Sequence, residues 1–493
     1  MKLLKYTALL LCSVSLFTSC FNDNDDEPRV SSVLEINNFI YRGMNSFYVY
    51  KADVPDLAND RFSSDQEFTD FLNGFSSPEA IFEGLRTQET VTVGSEQIKV
   101  DEFSFLVDDY VALEQAFDGI TRNNGMEFGL VRYPNNPSNV FGYVRYILPG
   151  TDAESKSVQR GDIFNTIDGT QITDQNFSSL LAPDTYTIGL ATFDGNDVTA
   201  TGESVELTKV QYTENPVFIA RTLDVGGSPA GYLMYNSFTA DFDAQLNNAF
   251  AQFKSDGVTN LILDLRYNGG GSVASAIDLS SMITGQFNGE IIITEEWNAE
   301  FQQALQNDNP ERLINRFDNQ IRTGAAINSL NLTKVYILTT RSTASASELV
   351  INGLDPYITV VQVGAASRGK FQASVTLYDS SNFARQGANP GHTYAIQPLV
   401  FRSLNSVGFT DFFGGFIPEI EVSEDFTNLG TLGDPNEPLL KAAIDDILGN
   451  RTSGKYNTLE LESVGNSNMF DFTDGRMYHE KEFPAILTEE INF

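Results

Sequence analysis

The sequence predicts a mixed α/β protein, and three patterns carry that prediction. Two runs read as strands, 258–265, a continuous apolar run of the kind buried in an α/β sheet, and Lys334-Val-Tyr-Ile-Leu-Thr339, and each leads through a turn into a run of helical character. Between 117 and 210 the pattern is instead one of short strands separated by turns. Ahead of it, 33–116 places apolar residues at helical spacing. A chain of 493 residues is long enough for two or three such units.

The N-terminus comes first in the chain. Met1-Lys-Leu-Leu-Lys5 is basic, and 6–17 is mostly apolar but too short to cross a bilayer, so 1–19 reads as a signal peptide. It ends in Leu16-Phe-Thr-Ser-Cys20, which resembles a bacterial lipobox. That resemblance implies a lipid on Cys20, attachment to the cell envelope, and a position on the periplasmic or surface face of an outer membrane. Removal of 1–19 would take Cys12 with it, which leaves no pair of cysteines for an intrachain disulfide. Residues 20–32 are polar and acidic and read as a tether; such acidic residues after the cysteine resemble the surface-export signal of Bacteroidetes lipoproteins.

Composition removes several functions. A net charge of −35 argues against nucleic acid and against electrostatic adhesion to anionic lipid, leaving the acyl chains as the membrane attachment. With two histidines, His392 and His479, far apart in the sequence, a histidine–cysteine zinc site is nearly excluded, and no phosphate or dinucleotide loop is present. No metal or cofactor is implied. A serine–histidine pairing would have to use one of those two histidines, so the chemistry points elsewhere.

Within 33–116, residues 33–40 have helical spacing, and Pro78 stands where a helix would begin. The aromatic residues here read as core. In 117–210, residues 142–148 alternate as a strand, Pro149-Gly150 turns, and Gln159-Arg-Gly-Asp162 opens a turn–strand–turn unit closed by Asp168-Gly169. This run resembles a bacterial PDZ domain, with Lys156-Ser157 in place of the usual Ala-Gly. The resemblance implies that Glu127, Phe128, Gly129 and Leu130 form the loop that receives a peptide's free C-terminal carboxylate, the peptide adding as a strand.

The segment 216–449 carries the chemistry. Strand 258–265 runs into Asp264-Leu-Arg-Tyr-Asn-Gly-Gly-Gly271, whose glycines let backbone N–H groups approach a reacting carbonyl. Arg266 reads as an ion-pairing residue. Strand 334–339 leads to Arg341-Ser-Thr-Ala-Ser-Ala-Ser-Glu348, where a helix begins and the Ala346 N–H is left without a helical acceptor. Ser342, Thr343, Ser345 and Ser347 all compete as nucleophile or as plain helix cap, and spacing alone does not choose among them. Lys370 follows between two apolar strands, where desolvation would keep an amine neutral and able to act as a base. Ser367 and Lys370 also match a Ser-x-x-Lys pattern, but Gly369 opposes the helix which that pattern requires.

Taken together, these motifs resemble the C-terminal processing (tail-specific) serine proteases over about 117–449. The resemblance implies a ClpP/crotonase-like core with a PDZ-like domain and a small helical N-terminal domain, acting as a serine endopeptidase on exported proteins or peptides. It selects Ser345 as nucleophile, with Ser347 as the fallback, and Lys370 as base. Gly270, Gly271 and Ala346 supply the oxyanion donors. The family's lysine-orienting glutamine would fall at Ser374, with Gln372 two residues earlier. Its absence keeps open a second class, a catalytically silent PDZ-bearing scaffold lipoprotein. Residues 450–493 are a polar extension to which the sequence assigns no role.

Overall fold

A capping box starts the first helix: Ser32 accepts the Glu35 N–H, and the Glu35 carboxylate accepts the Ser32 N–H at 2.7 Å. The computed structural model describes residues 29–451, 461–472 and 474–480, so 1–28, including Cys20, lie outside the described residues. In chain order the N-terminal part comprises α1 (Val33–Phe47), α2 (Asp65–Asn73), α3 (Pro78–Gly84), β1 (Thr90–Val93), β2 (Glu96–Lys99), β3 (Phe105–Val107) and α4 (Tyr110–Phe117). Pro78 does open a helix, behind a Ser77 cap. Residues 90–107 are strands rather than helix. There β1 and β2 form a hairpin, and β3 pairs with a strand almost 300 residues later in the sequence.

The second part contains β4 (Ile120–Asn123), β5 (Met126–Arg132), β6 (Val140–Ile147), α5 (Asp152–Ser155), β7 (Ile163–Ile167), β8 (Thr170–Gln171), α6 (Phe177–Leu181), β9 (Thr185–Phe193), β10 (Val198–Thr208) and β11 (Val210–Thr213). Its antiparallel sheet runs β10-β9-β7-β6-β5 and closes over its own apolar cluster, which includes Phe128, Leu130, Phe164, Phe177 and Leu181. This is the strand domain.

The third part begins with β12 (Val217–Val225), β13 (Ser228–Tyr235), α7 (Asp243–Ser255), β14 (Asn260–Asp264), β15 (Gly271–Ser272), α8 (Val273–Thr284), β16 (Ile291–Trp297), α9 (Ala299–Asp308) and β17 (Ile314–Arg316). It continues with β18 (Lys334–Thr339), α10 (Ala346–Leu354), β19 (Thr359–Gly364), β20 (Gln372–Ser374), β21 (Leu377–Tyr378), β22 (Ala395–Gln397), β23 (Leu399–Asn405), β24 (Ile420–Glu421) and α11 (Pro438–Ile447). One sheet has the order β12-β13-β14-β18-β19-β24 and is parallel from β13 onward. The two strands read at 258–265 and 334–339, β14 and β18, are neighbours at its centre, where a strand is buried on both faces. Helices α8 and α10 pack together beside it.

Two features depart from a modular reading. Phe39, Phe47 and Tyr48 of the N-terminal part share one core with Leu263, Phe301 and Phe401 of the third part. Residues 461–472 and 474–480 of the C-terminal extension also fold into the body. Its β25 (Ser463–Asn466) adds to the β5 edge of the strand domain, and its β26 (Met477–Tyr478) lies between β15 and β20 in a second sheet of order β15-β26-β20-β23-β16-β17.

Candidate active site

The parallel sheet delivers two turns side by side. After β14, Arg266 is fully buried and spans two carboxylates, Asp264 at 2.9 Å and Glu437 at 2.6 Å, which fixes the strand end to the start of α11. Asn268 then staples the glycine turn. Its amide donates to Tyr235 O at 2.8 Å and its Oδ1 accepts the Gly270 N–H at 2.9 Å. Its carbonyl accepts the Ala344 N–H and the Ser347 hydroxyl, both at 3.1 Å, tying this turn to the one before α10. Gly270 has φ +120°, and a Cβ there would sit 2.8 Å from Ser345 Cβ and 2.6 Å from Arg476 O, so only glycine fits.

Ser345 occupies the turn from β18 into α10 with φ +66° and ψ −112°. Such a backbone is strained for a residue with a side chain and persists only where the surroundings enforce it. The competing hydroxyls are all engaged. Ser342 Oγ accepts from Arg145 at 2.9 Å, Thr343 donates to Leu265 O at 2.8 Å, and Ser347 is held by Asn268. Ser345 Oγ alone in this run is buried with no hydrogen-bond partner. The Ala346 N–H, at the first position of α10, likewise has no acceptor among the described residues.

Lys370 is also fully buried, and its Nζ has no hydrogen-bond partner; it lies over the Phe103 ring, 4.8 Å from the centroid. Burial is the main force holding its pKa well below the ordinary lysine value, and the Arg476 guanidinium adds to the depression. One carboxylate, Glu348, joins the two segments. Its Oε2 accepts the Ser345 and Lys370 N–H groups, each at 2.8 Å, so those two nitrogens lie no further apart than twice that distance. Its Oε1 accepts the Gly369 N–H and the Ser367 hydroxyl, each at 2.6 Å. Burial raises the Glu348 pKa, against the pull of these bonds. Because Ser345 Oγ and Lys370 Nζ are both unpartnered, they do not hydrogen-bond each other here.

Several expectations need correction. The Gly270 N–H is spent on Asn268 and the Gly271 N–H on Arg476 O at 2.7 Å, so neither is open to a substrate carbonyl in this arrangement. Neither Gln372 nor Ser374 reaches Lys370: Gln372 donates to Tyr50 OH at 2.6 Å, and Ser374 donates to Gln397. Glu127, Phe128, Gly129 and Leu130 are not a loop but the middle of β5, paired to β6 on one side and to β25 on the other. The buried Glu127 carboxylate would moreover repel a terminal carboxylate. Ser367 donates to Glu348 from a non-helical segment, which removes the Ser-x-x-Lys alternative.

Sequence reasoning passed over Glu348, Asn268 and Phe103. The Ser345-x-x-Glu348 spacing of a capping box was the available signal for the first. For Asn268 the Asn-Gly-Gly turn signalled its bond to Gly270 but not its contacts with Tyr235, Ala344 and Ser347, and Phe103 has no local signature because it acts on residues far away in sequence. His392 Nε2 lies 3.1 Å from Asp379, and His479 lies 3.4 Å from Glu295.

Parts of the chain are similar to known proteins. Residues 229–389 match the model of peptidase family S41, and 35–105 match that of the peptidase S41 N-terminal domain. The chain is thus similar to the S41 peptidases over these two segments. It is 25% identical over 250 residues to the chloroplastic C-terminal processing peptidase of Tetradesmus obliquus, covering 48% of this chain and 50% of that protein. With the carboxy-terminal-processing protease of Bartonella bacilliformis it shares 27% identity over 315 residues, 59% of this chain and 64% of the relative. The chain therefore spans about half to two thirds of the length of these curated relatives. An S41-protease structure from Bacteroides fragilis superposes with a TM-score of 0.63 at 24% identity, covering 84% of this chain and 98% of that one, and this shows a shared mixed α/β fold.

Proposed function

We propose that this protein is a serine endopeptidase that cleaves polypeptides with a Ser345–Lys370 dyad, on a crotonase-like core with a PDZ-like strand domain. The carrying observation is that Ser345, at a strained φ of +66°, is the one hydroxyl of its run left without a partner, in a buried site beside an unpaired, neutral-leaning lysine. Lys370 takes the Ser345 proton as Oγ attacks the peptide carbonyl. The Ala346 N–H at the start of α10 receives the developing oxyanion, where the helix dipole favours negative charge. The Gly271 N–H is the second donor once Arg476 O leaves it. Protonated Lys370 then donates to the leaving amine, and water releases the acyl group. Capture of a free C-terminus by 127–130 is not part of this proposal. Lipid attachment through Cys20, and with it an envelope location, rests on the sequence; no helix among the described residues is long and apolar enough to cross a membrane.

Labelling with a fluorophosphonate tests the dyad. The parent should label and Ser345→Ala should not. Absence of labelling in a folded parent under conditions that expose the site would favour the silent scaffold, for which the unoriented lysine speaks.

A further inference from the structure

The described residues of the C-terminal extension, 461–472 and 474–480, lie against both candidate binding regions. At the strand domain, Ser463, Gly465 and Asn466 pair antiparallel with Val131, Leu130 and Gly129 on the β5 edge. The Arg132 N–H donates to Glu462 O at 3.0 Å and the Phe128 N–H to Ser467 Oγ at 3.1 Å, while Ser467 also donates to the Glu127 carboxylate. Val464 packs against the cluster containing Leu130, Phe177 and Leu181, which places this strand at the β5 edge beside α6. Strand addition at a sheet edge, with alternate side chains entering pockets, is how such domains take peptides.

Further along, the segment crosses the glycine turn. Cβ atoms at Gly269 and Gly270 would lie 2.7 Å from Asp474 Oδ1 and 2.6 Å from Arg476 O, so the two backbones touch. The Arg476 carbonyl accepts the Gly271 N–H at 2.7 Å, as a substrate carbonyl would. Phe103, the ring beneath Lys370 Nζ, lies 3.4 Å from the Cβ position of Gly475. Ser345 and Lys370 have no exposed surface, so the nucleophile is enclosed in this arrangement. A cavity of about 660 Å³ joins the two regions, lined by Glu127, Ser467, Asp474, Gly269 and Gly270.

We infer that 461–472 and 474–480 are an internal occupant of the substrate path, which holds the full-length chain at low activity until the segment is displaced or removed. Resting on the endopeptidase reading above, this also defines the substrate: an extended segment within a polypeptide, adding as an antiparallel strand to β5, with an apolar residue at the place of Val464 rather than a free carboxylate at Glu127. The occupant continues past that edge as chain, and the site is built to let it continue.

The test uses the full chain and Val464→Asp, which sets a carboxylate against the apolar cluster and so loosens the segment whose far end holds the Arg476 carbonyl on the Gly271 N–H. Two readouts are taken: the fluorophosphonate labelling rate at Ser345, and binding of a fluorescent peptide of sequence 461–472 by anisotropy. Labelling should rise at least tenfold in the variant, and the peptide should bind the variant but not the parent. A second variant, Val131→Cys with Ser463→Cys, pins β25 in place when oxidised; labelling should be slower oxidised than reduced. Peptide binding by the variant without labelling of either form would support the occupancy and reject the Ser–Lys reading. Equal labelling of parent and folded Val464→Asp, with the peptide excluded from both and no redox effect in the paired-cysteine variant, would overturn the occupancy.

Discussion

Glu348→Gln is the sharpest single perturbation of the site. The carboxylate accepts four hydrogen bonds, two on each oxygen: the Ser345 and Lys370 N–H groups on Oε2, the Gly369 N–H and Ser367 hydroxyl on Oε1. A glutamine of the same shape has one acceptor oxygen, so its NH2 must face either the Ser345 and Lys370 N–H groups or the Gly369 N–H and the Ser367 hydroxyl, which can turn to accept. At least one buried N–H then loses its acceptor, at about 1–3 kcal/mol. Relief would come from movement of the Ser345 or Lys370 backbone, and a misplacement of about 1 Å at a reacting group costs roughly 10²-fold in rate. The variant should therefore melt at lower temperature and lose at least about 10²-fold in peptide hydrolysis. Differential scanning calorimetry and a fluorogenic peptide assay on the same preparation measure both. Parent-like melting together with parent-like hydrolysis would show that Glu348 neither supports the fold here nor positions the dyad.

Other perturbations read the remaining parts of the site. Ser345→Ala and Lys370→Ala should each bring hydrolysis to background in folded protein, with no further loss in the double variant, because the two groups act as one unit; additive losses would separate them. Since the folded pKa of Lys370 lies below its unfolded value, the unfolded chain binds more protons between the two, and stability rises with pH across that window. Lys370→Met should then melt above the parent near pH 7, the difference closing as pH approaches ~10.4; a pH-independent difference would mean a solvated amine. Arg266→Ala strands two buried carboxylates, Asp264 and Glu437, and should cost about 3–5 kcal/mol in denaturant unfolding of the core. A loss below about 1 kcal/mol would place those carboxylates in water.

Local pattern alone was enough to read several elements. The run 334–339 is β18, the helical spacing at 33–40 falls in α1, and Pro78 starts α3. These follow from periodicity and capping, which depend on neighbours a few residues away. The strands at 90–107 escaped because their pairing is decided elsewhere: Phe105, Leu106 and Val107 become a strand by meeting Gln397, Ile396 and Ala395.

The sequence by itself determined which segments could carry the chemistry: a glycine turn after one buried strand, a serine-rich helix start after another, and a lysine between apolar runs. It left four hydroxyls in contention at that helix start. Only the tertiary structure separated them, because the partners of Ser342, Thr343 and Ser347 come from Arg145, Leu265 and Asn268, which the sheet brings in from other strands. The same holds for the unread tail. Nothing local in 461–480 reports that it pairs with β5 and crosses the glycine turn, since both partners are supplied by residues hundreds of positions earlier, and backbone pairing of this kind needs little from the side chains.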